Sequence, residues 1–370
     1  MIKSNIKYPI YKPYLNSKEE EYVMDCLKSG WISSLGQYIT TFEKSFSSYL
    51  GVKYSISCSS GTTALHLAML ALELGKGDEV ILPSLTFVAT ANAITYTGAT
   101  PIFADSYKNT FQLNIEDVQR KITKKTKAVI AVHLYGNSCE IDKLKSLCKK
   151  NKLYLIEDNA EALGTKFKNQ LTGSFGDISC FSFYGNKTIT TGEGGMVCTN
   201  DKKLAEKINL LKDHGLDKKA KEYYTHSVIG YNYRMTNISA AIGQAQLESI
   251  EKIIQKKRFI ASYYDKKLET IKNIQLQFIE TYIYSTYWLY SFLCTSQAER
   301  NKLIKYLKNL GIDSRPFFVP LNNLDIYKNN KTNTPISSDL ALRGINIPSY
   351  PSLSIEDLNF ITNAINNFYK

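Results

Sequence analysis

Short, unbroken apolar runs, each closed by a polar residue or a proline, constrain this chain more than any other feature. Val80-Ile81-Leu82 ends at Pro83, and Pro101-Ile102-Phe103-Ala104 ends at Asp105. Ala128 to Val132 ends at His133, and Leu153-Tyr154-Leu155-Ile156 ends at Glu157-Asp158. Ile178 to Phe183, which carries Ser179 and Ser182 among its apolar residues, and Met196-Val197-Cys198 complete the series, and helix-length stretches separate its members. A strand that is apolar on both sides must be covered on both faces, as in a parallel sheet enclosed by helices. In such sheets ligands gather at the carboxyl ends of the strands. Thr86, Asp105, His133, Asp158 and Lys187 fall at those ends. The pattern predicts an α/β fold with a mostly parallel, mixed sheet flanked by helices.

At 370 residues the chain is long enough for a large domain and a smaller one. A helical stretch from Asn237 carries Ile238, Ile242, Ala245, Ile250 and Ile253 on its apolar side and continues with charged residues to about Leu268. It reads as the link between a large domain, residues 1–251 including an N-terminal arm, and a small C-terminal α/β domain, residues 252–370. The latter offers a strand at Tyr287 to Leu293, a helix near Ala298 to Leu310 and a polar loop at Lys328 to Asn333.

Composition removes several function classes. No apolar stretch approaches the roughly 20 residues of a membrane span, and Met1 to Asn5 lead into no secretory h-region. The expected address is cytoplasmic, with no membrane partner. Seven cysteines without a C-x-x-C pair, beside four histidines, argue against a zinc site or a disulfide framework. No metal is expected, and the thiols are expected to be buried and reduced. The net charge of +12 suits a polyanionic partner. Its lysines are spread over stretches such as Lys121 to Lys127 and Lys252 to Lys257, so no basic arm for nucleic acid emerges. A phosphorylated or nucleotide-linked small molecule is the better match.

Two motifs carry chemistry. Ser59-Ser60-Gly61-Thr62-Thr63 leads into a helix with Leu65, Ala68, Met69 and Leu72 on one side and Gly75 as its stop. The start of such a helix offers hydroxyls, free N–H groups and a favourable dipole to a phosphate. The second is Phe181-Ser182-Phe183-Tyr184-Gly185-Asn186-Lys187-Thr188-Ile189, a strand followed by a polar turn presenting one lysine, with the cluster Gly192-Glu193-Gly194-Gly195 beyond it. Lysine condenses with aldehydes and ketones, and desolvation lowers its pKa toward the range where it can do so. Lys187 follows Asp158 by 29 positions. A phosphate-type turn, an aromatic, an acid at a strand end and then a lysine form the inventory pyridoxal 5′-phosphate requires. The aldehyde needs the amine, the ring nitrogen a carboxylate, the phosphate its donors and the ring face a cover.

Ser182 to Met196, together with Trp31-Ile32-Ser33-Ser34, Phe42-Glu43 and Gly344-Ile345-Asn346-Ile347-Pro348-Ser349, resembles the DegT/DnrJ/EryC1/StrS aminotransferases nearly end to end. Within that family the lysine run is most similar to the GDP-perosamine synthase group. The resemblance implies the aspartate aminotransferase fold (fold type I) and assigns roles residue by residue. Lys187 would bond the cofactor aldehyde and then move a proton between substrate and cofactor. Asp158 would pair with the ring nitrogen, Glu161 would contact the ring hydroxyl, and Phe87 would stack on the ring. Gly61, Thr62 and Ser182 would hold the phosphate, joined by Asn232 from a neighbouring subunit, which implies a homodimer with shared sites. Trp31, Ser33, Tyr184, Arg315 and Asn322 would face the substrate.

Some members of the family replace the lysine with histidine and dehydrate keto-sugars. Keeping Lys187 favours ping-pong amino transfer, with L-glutamate as donor. The implied acceptor is a nucleotide-linked 4-keto-6-deoxy sugar on the way to a surface polysaccharide. A smaller phosphorylated ketone, such as dihydroxyacetone phosphate giving serinol phosphate, is the alternative. Asn322 stands where the family commonly has histidine, and Asp325-Ile326 replaces a proline-containing sequence, which leaves the acceptor open. A non-catalytic regulator built on this fold would have lost the lysine or the aspartate; both are present.

Overall fold

The computed structural model describes residues 6–217, 219–328 and 332–370; residues 1–5 and part of the polar loop at 328–333 lie outside it. Its main sheet uses β1 (Tyr54–Cys58), β2 (Glu79–Pro83), β3 (Thr100–Ala104), β4 (Thr126–Val132) and β5 (Tyr154–Asp158). After a small hairpin of β6 (Lys166–Phe167) and β7 (Gln170–Leu171) come β8 (Ile178–Ser182) and β9 (Gly195–Thr199). The spatial order is β1-β9-β8-β5-β4-β2-β3. β9 pairs antiparallel with both β1 and β8, while the β2–β3, β2–β4, β4–β5 and β5–β8 pairings are parallel. Every apolar run of the sequence is one of these strands. Because side chains alternate across a strand, Ile130, Val132, Ile156 and Cys180 pack beneath the helix Gly61–Ala71. Val129, Ala131 and Leu155 enter a separate core on the other face.

β1 was hidden by its serines. Ser57 is fully buried, and both its N–H and its hydroxyl donate to Glu43 Oε1, at 2.8 and 2.7 Å. Ser55 receives the Ser47 hydroxyl at 2.8 Å. Both partners sit on the helix Gln37–Leu50, so a strand that reads as half polar is satisfied from within the core. The helix Gly61–Ala71 ends before Gly75. Glu73 takes a left-handed φ of 59°, with Glu73 N–H on Leu70 O and Leu74 N–H on Met69 O. That is a Schellman closure made without glycine.

The expected long helix is two, Asn237–Glu248 and Ile250–Leu268, broken at Ser249. The proposed domain boundary at 251/252 falls in the first turn of the second. Beyond it lie β10 (Ile274–Leu276), β11 (Ile283–Tyr284), β12 (Tyr290–Cys294), β13 (Arg315–Pro316) and β14 (Gly344–Ile347). Four of them form an antiparallel sheet of order β10-β12-β14-β13, and β11 crosses over to pair with β6. Tyr264, Phe292, Leu303, Ile345 and Leu358 fill the core of this region, which Tyr8 joins from the N-terminal arm. The strand expected from Tyr287 begins only at Tyr290, because Trp288 packs instead with Leu85, Tyr135 and Phe317. The helix Gln297–Asn309 lies where expected. All seven cysteines are buried and unpaired. Among the described residues no helix is long and apolar enough to cross a membrane.

Candidate active site

Parallel pairing of β5 with β8 sets Asp158 opposite Cys180, so Ser182 emerges one same-face step further along. The chain then turns through Tyr184, whose carbonyl accepts the Lys187 N–H at 2.9 Å. A cavity of about 350 Å³ opens at these strand ends, lined among others by Gly61, Thr62, Phe87, Asp158, Ser182 and Lys187. Four sequence-distant segments thus contribute these residues to one space.

Its floor is charged and buried. Asp158 is 4% exposed; its Oδ2 accepts the Thr90 hydroxyl at 2.9 Å and its Oδ1 the Ala160 N–H at 3.1 Å. Burial pushes its pKa up, opposed by those two hydrogen bonds and by the charge of Lys187. Burial likewise pushes Glu161 up to about 7, again opposed by Lys187. Glu161 Oε1 lies 3.8 Å from Lys187 Nζ, while its Oε2 accepts the Tyr135 N–H at 3.0 Å. Burial pulls the Lys187 amine below its ordinary value, against the two carboxylates that raise it. Desolvation therefore wins, and the free amine needed for condensation becomes more available. Trp288 covers that amine, with its ring centre 4.0 Å from Nζ and its indole N–H on Asn186 O at 2.7 Å. The Tyr11 hydroxyl donates to the Lys187 carbonyl.

The phosphate end is built by close approach. Ser60 and Thr63 cap one another, leaving the first helical amides, Gly61 and Thr62, without an acceptor in their own helix. A Cβ on Gly61 would lie 2.6 Å from Ser182 Cβ, and one on Gly195 would lie 2.3 Å from Ser60 O. Glycine at both positions lets the helix start, Ser182 and β9 share a space that any side chain would fill. With an amine, a buried carboxylate, an aromatic wall and this cradle around one cavity, the residues fit pyridoxal phosphate.

The other expected residues divide between this cavity and other parts of the fold. Phe87 is 55% exposed on the cavity wall, 5.8 Å from the Phe318 ring, and Tyr184 lines the same space half exposed. Trp31 and Ser33 lie outside the cavity, with side chains exposed and carbonyls held by Asn237, at 2.7 Å from Nδ2 and 2.5 Å from N. Arg315 is exposed and paired with Asp313 at 3.0 Å. The Asn322 amide accepts the Ser84 and Thr334 hydroxyls and donates to Thr332 O at 3.1 Å, so it is committed to the fold. Asn232 is exposed outside this cavity, its side-chain oxygen accepting Arg234 at 3.0 Å. His133 falls on the opposite sheet face, buried against Glu157 Oε2 at 3.1 Å. Asp105 accepts the N–H groups of Ile336 and Ser337, at 3.1 and 2.7 Å, and so caps the helix Pro335–Arg343. Thr90, Glu193, Trp288 and Phe318 line the cavity without having been anticipated. Glu193 stands in the glycine cluster of the lysine motif and Phe318 between Arg315 and Asn322, so both lay within stretches already singled out, whereas Thr90 and Trp288 carried no such cue.

The model of the DegT/DnrJ/EryC1/StrS aminotransferase family matches residues 13–366. The chain belongs to that family. GDP-perosamine synthase of Escherichia coli O157:H7 is 50% identical to it over 365 residues, 98% of this chain and 99% of that protein. The enzyme of the same name from Vibrio cholerae is 47% identical, with the same coverage. Among solved structures, Helicobacter pylori PseC, an aminotransferase involved in the biosynthesis of pseudoaminic acid, superposes with a TM-score of 0.91 at 28% identity. That match spans 98% of this chain and 99% of PseC. This DegT family member is thus a pyridoxal phosphate-dependent aminotransferase with a fold shared by sugar aminotransferases.

Proposed function

We propose that the enzyme moves the amino group of L-glutamate onto the keto carbon of a nucleotide-linked 4-keto-6-deoxy sugar, with GDP as nucleotide. The product would be a building block of a surface polysaccharide, made by a cytoplasmic homodimer with shared sites. The observation that carries the reading is the near-full-length similarity to GDP-perosamine synthases, joined to an intact Lys187–Asp158 pair in one cavity. When bound, pyridoxal phosphate supplies an aldehyde for the lysine and a ring that takes up electrons from the reacting carbon. Asp158 would hold the ring nitrogen protonated, its anionic form favoured by the hydrogen bonds from Thr90 and the Ala160 amide. Gly61, Thr62 and Ser182 would anchor the phosphate, and Phe87 would cover one ring face. Lys187 Nζ would carry the proton between the reacting substrate carbon and the cofactor carbon in each half of the reaction. The net charge of +12 suits a diphosphate-bearing acceptor.

The test is to give purified holoenzyme glutamate with either GDP-4-keto-6-deoxymannose or dihydroxyacetone phosphate and to follow 2-oxoglutarate. Turnover with the nucleotide sugar is expected; turnover with only the small ketone would remove that reading. Asn322 favours neither acceptor, since its amide is already bonded to Ser84, Thr332 and Thr334.

A further inference from the structure

Lys257 reads in the sequence as one more surface cation, yet it is fully buried. It stands in the apolar stripe of the helix Ile250–Leu268, between Ile253 and Ile254 on one side and Ile260 and Ala261 on the other. Its Nζ donates to two main-chain carbonyls, Trp288 O at 3.1 Å and Ser349 O at 3.0 Å, and lies 5.7 Å from the centre of the Tyr11 ring. Burial alone holds its amine down at about 7. A lysine in an apolar stripe is costly unless its donors are used, and here they bond two chain segments while the charge faces the ring of a third. Two of those segments touch Lys187: Trp288 lays its ring over Nζ, and Tyr11 bonds the Lys187 carbonyl. The remaining segment ends the C-terminal motif, where Ser349 Oγ also accepts the Tyr290 N–H at 3.2 Å and so fixes the start of β12.

We propose that Lys257 is a positioning residue for amino transfer: by holding the Trp288 carbonyl it keeps the indole seated over Lys187. An aliphatic side chain would fill the same stripe but leave two buried carbonyls without donors. The segment before β12 would then be free to shift, and the indole with it. Displacements of about 1 Å at a reacting group lower rates by roughly 100-fold, so a seat made of two hydrogen bonds is enough to matter. The proposal rests on Lys187 being the reactive lysine, but its first readout does not.

That readout uses the chain's two tryptophans. In a Trp31→Phe background Trp288 is the sole indole, and acrylamide quenching of cofactor-free protein reports its shielding. Lys257→Met is expected to raise the quenching constant at least about twofold. In the native background the same substitution is expected to lower kcat by roughly 10- to 100-fold, with KM for the amino donor within about threefold, as for loss of an interaction made in the transition state. Unchanged quenching, or raised quenching with unchanged kcat, overturns the proposal; the first denies the seat and the second its relevance. Should Lys257→Met not fold, Trp288→Phe keeps both carbonyl bonds while removing the indole's hold on Asn186 and part of its cover over Lys187. A kcat within twofold of the parent then overturns the proposal, and a drop of about tenfold or more, with KM preserved, supports it. If Lys187 is not the reactive lysine, quenching rises as expected while Lys187→Ala still turns over.

Discussion

Replacing Gly61 with alanine sets a methyl group 2.6 Å from Ser182 Cβ and 3.0 Å from its Oγ, with the Ser182 Cα at 3.2 Å. Backbone strain plays no part, because Gly61 has an ordinary φ that alanine accepts; the effect is purely one of space. Overpacking of this kind costs about 1–3 kcal/mol, and because turning the Ser182 hydroxyl leaves its Cβ in place, the helix start and Ser182 must move apart, which opens the cradle and weakens its hold on the phosphate. A hydrogen bond to a charged group contributes about 1.5–3 kcal/mol, so the Kd for pyridoxal phosphate should rise by roughly 10- to 150-fold. Titrating cofactor-free protein and following visible absorbance measures it. Ser182→Ala should fall in the same range. In the pair Gly61→Ala with Ser182→Gly the two contacts with the serine side chain are gone and only the Cα at 3.2 Å stays tight, so most of the thermal stability should return while affinity does not, and the cycle separates the two effects. Affinity within twofold of the parent in Gly61→Ala would refute the claim that the helix start and Ser182 form the phosphate site.

Three further outcomes follow from the charges and from the proposed shared site. Asp158→Asn removes the only negative group bonded to both Thr90 and the Ala160 amide; kcat should fall by roughly 100-fold or more, the scale of losing an electrostatic stabiliser, with the melting temperature little changed. Glu161 raises the Lys187 pKa, so Glu161→Gln should shift the pH dependence of cofactor capture by cofactor-free protein toward lower pH; no shift, or one upward, contradicts the pairing at 3.8 Å. If Asn232 serves a neighbouring subunit, mixing inactive Lys187→Ala with Asn232→Ala and allowing exchange should restore activity to one site in each mixed dimer, whereas additive behaviour excludes a shared site.

The sheet was legible because its strands are apolar on both sides, and β2, β3, β4, β5, β8 and β9 all announced themselves. β1 did not, since Ser55 and Ser57 look solvent-facing until the partners on the helix Gln37–Leu50 are known. The carboxyl-end rule found Asp158 and Lys187 but could not sort the polar residues there by use. Asp105 caps a helix more than 200 positions away, and His133 lies on the far face, one step of alternation beyond the cavity-lining Val132. Thr90 and Trp288 matter through partners that only the tertiary fold brings near. Lys257 was misread for the same reason: its place on the buried stripe was visible in the spacing, but lysine at such a position reads as surface until its acceptors are seen.

Borohydride reduction of the freshly purified holoenzyme, followed by peptide mapping, tests the central claim most directly. The account predicts a single stable pyridoxyl adduct on the ε-amine of Lys187. An adduct on the buried Lys257 or another lysine, or no labelled peptide from a protein that carries the chromophore, would contradict it.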